Sequence, residues 1–255
     1  MAFVLPGGTL LDEEVMRGSI PRRTLNKKMK TILDLCGGTG SWSRPYREAG
    51  YNVKNITLPE YNVLFTKIKD DEIIFRKDTN DNYRLKVFKK DIYGILAAPP
   101  CTMFSIARTK AKKPRDLAEG FRTVRACLNI IWSCMEIKQE TKKKTLPLKF
   151  WALENPNGML KYFLGKPAFE FDPYEFGDGY KKRTYLWGWF NEPIKKIGKI
   201  KVEAPYHSLN PEKMKKFDKL ASRAINPEMF GKLTRQERRA ITPKGFAEAF
   251  FEVNQ

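Results

Sequence analysis

Thr31–Gly40 reads TILDLCGGTG, an apolar run of strand length that stops at Cys36-Gly37-Gly38-Thr39-Gly40. A run this short, bounded by glycine, predicts a strand. Ser41 then stands where a helix N-cap is expected, with the helix running to about Ala49. Gly50 ends it, and Tyr51–Ile56 starts a second strand. Strand, glycine turn, helix and strand in this order predict an α/β fold built on a mostly parallel sheet. Glycines at such a turn let the backbone approach a ligand closely and aim helix N-terminal amides at it. A tight turn that simply packs well would read the same. The dinucleotide fingerprint G-x-G-x-x-G does not apply, because Ser43 occupies the third position after Gly40.

Further along, Tyr93–Ala98 (YGILAA) is apolar without alternation, as expected in the buried middle of a parallel sheet. It runs into Pro99-Pro100-Cys101. Two prolines there fix a rigid, extended loop at the strand end, where α/β folds place their active sites. Cys101 is thus a candidate nucleophile, with a small buried hydrophobe as the alternative. Phe150–Leu153 repeats the design and ends at Glu154-Asn155-Pro156. A carboxylate directly after FWAL must be paired, protonated or employed, or else cap a nearby helix. Residues 114–139 predict one helix, from Leu117, Phe121, Val124, Leu128, Ile131 and Met135 at steps of three or four. Residues 66–90 predict an insertion with a β-hairpin, Ile73–Phe75 and Tyr83–Phe88 around a polar turn. Thr184–Phe190 predicts a late strand. Residues 191–239 are lysine-rich and irregular. Ile241–Asn254 predicts a terminal helix with Thr242 as N-cap and Pro243 in its first turn.

The chain has 255 residues, a length suited to one α/β domain with a small appendage. Lys and Arg number 48 against 29 Asp and Glu, a formal net charge of +19. A polyanionic partner accounts for that excess, because each cation that neutralises a phosphate releases a counterion. A solubilising basic surface is the alternative. No apolar run reaches transmembrane length and no basic amphipathic helix stands out, so no membrane partner is expected. Met1–Leu11 is too short and too weakly basic for a signal peptide. The four cysteines form no C-x-x-C pair, which points to a reducing compartment. His207 is the single histidine, leaving His-ligated zinc and Ser–His catalysis little to work with. The expectation is a monomer without metal in a bacterial cytoplasm, encoded by the cell or by something that infects it.

Glycine turn, Pro-Pro-Cys and Glu-Asn-Pro follow one another, each at a strand end. The stretches LDLCGGTGSWS, GILAAPPCTMFS, FWALENPNGML, KKRTYLWGWF and ITPKGFAEAFFEVNQ together resemble the DNA cytosine-C5 methyltransferases, most closely their compact, phage-type members. The likeness covers most of residues 31–190 and the segment 241–255. It implies a Rossmann-like S-adenosylmethionine-dependent sheet with helices on both faces. Residues 1–190 with 240–255 would be catalytic, and 191–239 a small basic appendage, a reduced target-recognition element. The resemblance implies S-adenosyl-L-methionine over Asp34, Cys36, Gly37, Gly38, Thr39, Gly40 and Trp42, with further contacts from Thr57, Glu60, Asn62 and Pro99. It implies Cys101 as the thiolate, Glu154 as the residue that holds the N3 and N4 edge of the base, and Arg183 as the cation near the ring O2. Ser105, Arg108, Lys181 and Lys182 are the implied DNA contacts.

The chain departs from the family at several points. Thr57, not an acid, follows the second strand, and Asn62 stands where an aspartate is usual. Lys181 replaces the first arginine of the paired basic motif, the C-terminal Gly-Asn motif is absent, and the large target-recognition domain is missing. An amino-directed methyltransferase would carry a polar residue before Pro99, where Ala98 has no side-chain acceptor. An RNA cytosine-C5 enzyme of the common type would carry a second cysteine near Glu154-Asn155-Pro156. A modified sulfonium donor or pre-modified cytosine, and an inactive DNA-binding homologue, are the remaining alternatives.

Overall fold

The structure, a computed structural model, describes residues 29–79, 84–106, 108, 112–135, 148–178, 180–196, 237 and 240–255. Thr31–Leu35 (β1) is buried at every position, and it is followed by the five-residue helix Arg44–Glu48 (α1) and the strand Asn52–Ile56 (β2). Ile92–Ala97 (β6) and Phe150–Pro156 (β7) are the other two inner strands. With Phe169–Phe171 (β8) and Thr184–Trp189 (β9) they form a six-stranded sheet of order β2-β1-β6-β7-β9-β8. β2, β1, β6 and β7 run parallel, and β9 is antiparallel to both β7 and β8. The chain is therefore an α/β protein with a mostly parallel sheet.

Alternate residues of these strands feed two cores. Leu33, Leu35, Ile95, Ala97 and Leu153 face the long helix Leu117–Met135 (α2), which buries Val124, Cys127, Leu128, Ile130, Ile131 and Cys134. Each such side chain contributes about 1.5–3 kcal/mol, enough to hold the β-branched residues of α2 in helix against their weak preference. Ile32, Leu96, Ala152 and Leu186 face the other way, toward Tyr46 of α1 and the terminal helix Lys244–Val253 (α4). Helices thus lie on both faces. Among the described residues no helix is long and apolar enough to cross a membrane.

Several expectations are corrected. The insertion is a three-stranded antiparallel sheet, Asn62–Ile68 (β3), Glu72–Arg76 (β4) and Arg84–Phe88 (β5), and it begins at Asn62 rather than near residue 66. Val63, Ile73, Phe75 and Val87 bury its inner face in the α2 core, which is why a third strand is recruited. Its polar turn lies largely outside the described residues, as do nearly all of 191–239 and the expected last turn of α2. At its start, α2 is capped by Asp116, whose Oδ1 accepts from Glu119 N at 2.8 Å. The first helix starts at Arg44, because Ser41 Oγ bonds Thr39 Oγ1 instead of capping. Pro243, not Thr242, holds the N-cap position of α4, and Asp178 Oδ2 accepts from Gly245 N at 3.2 Å, so the cap comes from a distant segment. The short helix Lys161–Leu164 (α3) and strand β8 were not expected from the sequence. At its far end α4 is fastened to the chain after β9. Asn254 Oδ1 accepts from Asn191 N at 2.8 Å, and Asn254 Nδ2 donates to Asn191 O at 2.9 Å.

Candidate functional site

Strand register decides where the three motifs meet. Leu35 is level with Ile56 and Ala97, and Ala97 is level with Leu153. The residues that follow, Cys36, Thr57, Pro99 and Glu154, therefore all reach the same C-terminal edge of the sheet, beside the β1/β6 neighbourhood where an α/β sheet opens a crevice.

The glycine turn is pinned to β2. Cys36 N donates to Ile56 O at 2.8 Å, Asn55 Nδ2 to Gly38 O at 3.0 Å, and Gly38 N to Thr57 Oγ1 at 3.3 Å. Gly38 and Gly40 have φ of 53° and 69°, a region that disfavours side chains. Cys36 shares it at 58° without being glycine, and its Sγ lies 4.0 Å from Cys127 Sγ on α2. The two central glycines serve different needs. A Cβ on Gly37 would fall 2.3 Å from Asp34 Cγ, so Gly37 makes room for a protein carboxylate. A Cβ on exposed Gly38 would meet nothing within 4 Å, so the space above it is open.

Asp34 lies beneath the turn, 0% exposed, and accepts from Ser43 Oγ at 2.5 Å. Its Oδ1 is buried with no hydrogen-bond partner. Burial pushes its carboxyl from 3.8 to about 6, with Ser43 and Arg47 opposing. The native state therefore holds this proton more tightly than the unfolded chain. Stability from this group is greatest below its unfolded value and falls as pH rises through the folded one. The wild type is expected to lose about 3 kcal/mol relative to Asp34→Asn between about pH 4 and 7. Denaturant midpoints of both proteins across that range measure it, and a constant difference refutes the assignment.

Three of the expected contacts, Trp42, Glu60 and Asn62, move. Trp42 is 1% exposed and packs on Phe246 and Phe250, with ring centroids 5.9 and 5.5 Å away. It is a core residue, because its segment turns down onto α4 before α1 begins, and the expected ligand contact there is corrected. Glu60 is exposed on a turn closed by Tyr61 N donating to Thr57 O at 2.9 Å. Asn62 opens β3, where its Oδ1 accepts from Leu64 N at 3.0 Å. Only Thr57 of this trio touches the glycine turn.

The loops after β6 and β7 are clamped together. Pro99 is buried and Cys101 half-buried, and buried Asn155 donates Nδ2 to Pro99 O at 3.0 Å. Cys101 O accepts from Phe104 N at 2.9 Å and Ser105 N at 2.8 Å. Ser105 bridges to Gly158, and Met159 N donates to Phe104 O at 2.9 Å. Arg108 is used locally, donating NH2 to Lys113 O and Pro114 O at 3.2 Å each. Neither Asn155 nor Gly158 was singled out from the sequence. Their signal is their closeness to Glu154, but the partner backbone lies some fifty residues earlier in the chain. A Cβ on Gly158 would stand 2.2 Å from Phe104 O, a backbone atom with no freedom to yield. Gly158→Ala is expected to cost about 1–3 kcal/mol in chemical denaturation by prising these loops apart. A change below about 0.5 kcal/mol would show that the loop yields easily.

Glu154 projects from β7 with 16% of its side chain exposed. Burial shifts its carboxyl upward from its ordinary value, and Lys182 opposes the rise. Lys182 Nζ stands 4.0 Å from Glu154 Oε1. Arg183 is turned elsewhere. Its Nε lies 3.1 Å from Asp172 Oδ2 and its NH1 3.8 Å from Glu170 Oε2, on the β8 side of the sheet. Lys182, not Arg183, is the cation brought to Glu154, and Lys181 is half-buried just before β9.

The arrangement offers a half-buried thiol on a clamped loop and a half-buried carboxylate on β7, with the open glycine turn on β1, two strands from β7. No protein-family model matches the chain, and no curated protein matches it.

Proposed function

We propose that this protein transfers a methyl group from S-adenosyl-L-methionine to C5 of cytosine in DNA, with Cys101 as the attacking group. One observation carries the reading: the register that brings the glycine turn, Cys101 and Glu154 to a single sheet edge. The finer reading of the sheet as a methyltransferase fold belongs to the same proposal.

Cytosine C5 is a weak nucleophile. Addition of the Cys101 thiolate to C6 breaks the aromatic ring and makes C5 enamine-like, so that it can take a methyl group. Loss of the C5 proton then expels the thiolate and restores the ring. Glu154 holds the N3 and N4 edge in this reading, and its carboxyl, which burial shifts upward, shares a proton with N3 as charge develops on the ring. Lys182 limits how far that carboxyl rises. C6 is out of reach inside a duplex, so the base must be flipped out or single-stranded. The net charge of +19 suits the phosphate backbone.

The donor supplies an electrophilic methyl group. Residues Cys36–Gly40 fit it, because exposed Gly38 leaves open space above the turn and Thr57 is bonded to that turn. Gly38→Val is expected to abolish donor binding in titration calorimetry, since a side chain would fill the open space, and Gly40→Val to abolish it by pressing on Asn55 and Arg47 at a backbone φ of 69° and so displacing the turn. Unchanged affinity in both variants would remove the cofactor from this turn.

The direct test is to incubate DNA, single- and double-stranded, with the protein and S-adenosylmethionine and to analyse the nucleosides. 5-Methylcytosine is the expected product. Its absence, with DNA still bound, would favour an inactive DNA-binding homologue. Product appearing only with a modified donor or pre-modified cytosine would favour that variant of the chemistry.

A further inference from the structure

The loop that carries Cys101 runs directly against α3. Ser105 bridges to Gly158, Met159 N donates to Phe104 O, and Tyr162 N donates to Met159 O at 3.0 Å. At this junction three large apolar side chains face water. Tyr162 is 75% exposed, Ile106 57% and Phe163 49%. Phe163 is held in place by Phe121 and Phe104, with ring centroids 5.5 and 6.3 Å away. Cations frame the patch. Lys161 Nζ lies 5.4 Å from the Tyr162 ring centroid, Lys166 is exposed just beyond α3, and Lys113 is exposed at the entry to α2. The nearby acids are engaged, Asp116 as the α2 cap and Glu119 with Arg122 at 2.8 Å.

Exposed aromatic faces among lysines match one class of ligand. An unpaired nucleic-acid strand offers π faces for the rings and phosphates for the ammonium groups, and every base can stack. A base within a duplex is already stacked on its neighbours. We propose that Tyr162 forms a stacking platform for an unpaired base beside the target nucleotide, with Lys161 and Lys166 on the adjoining phosphates. The platform rests on the reading of Cys101 as the target's partner only for its position along the strand. Strand binding itself needs no methyl donor.

The test is fluorescence anisotropy with the full chain and a labelled single-stranded oligonucleotide containing one cytosine. Tyr162→Ala is expected to weaken binding about 5- to 100-fold, and Tyr162→Phe, which keeps the ring, to stay within about twofold. The salt dependence of Tyr162→Ala should parallel that of the wild type, because no phosphate contact is lost. Lys166→Ala should lower the slope of log affinity against log salt by about 0.7. An abasic residue on one side of the cytosine should weaken the wild type by the same factor and cost Tyr162→Ala nothing more. Both flanking positions are tested. Unchanged affinity of Tyr162→Ala, or the same abasic penalty in variant and wild type, would overturn the platform. A thermal melt of Tyr162→Ala that drops while strand affinity holds would also overturn it, by assigning the ring to packing within the chain. These binding effects together with no methyl transfer by the wild type would overturn the proposed chemistry and leave the platform standing.

Discussion

Cys101→Ala is expected to lower methyl transfer by at least about 10³-fold while leaving DNA and donor binding close to wild type. The sulfur is needed only for the covalent step. Alanine keeps the Cys101 backbone carbonyl, which accepts from Phe104 N and Ser105 N. The clamp between Asn155 and Pro99 runs through other residues. The variant should thus fold with the loop in place and fail only at chemistry. DNA containing 5-fluorocytosine supplies the positive arm. Fluorine at C5 cannot leave as a proton does, so the thiolate is not expelled and a covalent adduct accumulates. Intact mass should show that adduct with the wild type and not with Cys101→Ala. Normal turnover by the variant would remove Cys101 from the reaction.

Glu154→Gln is expected to slow the reaction by about 10²–10³-fold, the usual loss for one electrostatic group aimed at developing charge. Glutamine keeps the shape and part of the hydrogen bonding to N3 and N4, but it cannot share a proton with the ring. Donor affinity should change little, because Glu154 leaves the sheet two strands away from the glycine turn. The substitution also removes the carboxylate charge 4.0 Å from the Lys182 ammonium, so Lys182→Met is the informative companion. Removing that cation should let the Glu154 carboxyl rise further, which moves the ionisation seen in the pH–rate profile toward higher pH. Turnover of Glu154→Gln within about threefold of wild type would make the carboxylate structural.

Much of the frame was legible because it is written in local chemistry. TILDL, YGILAA and FWAL are unbroken apolar runs ended by glycine or proline, and a chain segment of that kind is driven into the middle of a sheet wherever it folds. They became β1, β6 and β7, although β7 runs on to Pro156, so Glu154 lies within the strand opposite Leu186 of β9 rather than after its end. Strand β3 was missed because NVLFTKI is only half-buried and gains its place by packing with β4 against α2, which lies about fifty residues further along the chain. The helix caps were misplaced for a similar reason. Ser43 gives its hydroxyl to Asp34, and Asp178 rather than Thr242 serves the start of α4.

The sequence by itself determined that the chain is α/β, which strands are buried, and that a glycine turn, a thiol and a carboxylate each accompany one of them. Those properties follow from side-chain hydrophobicity and from the backbone limits of glycine and proline, which act within a few residues. The tertiary structure alone decided which neighbours meet. Arg183 turns to Asp172 because the segment before β9 passes the acidic turn after β8, leaving Lys182 for Glu154. Trp42 sinks into the core because α4 comes back from the end of the chain to cover it. Asn155 reaches Pro99 because β6 and β7 are sheet neighbours, although 56 residues separate the two positions. Such choices are set by which groups compete for one another in space, and a local reading of residue types carries no term for that competition.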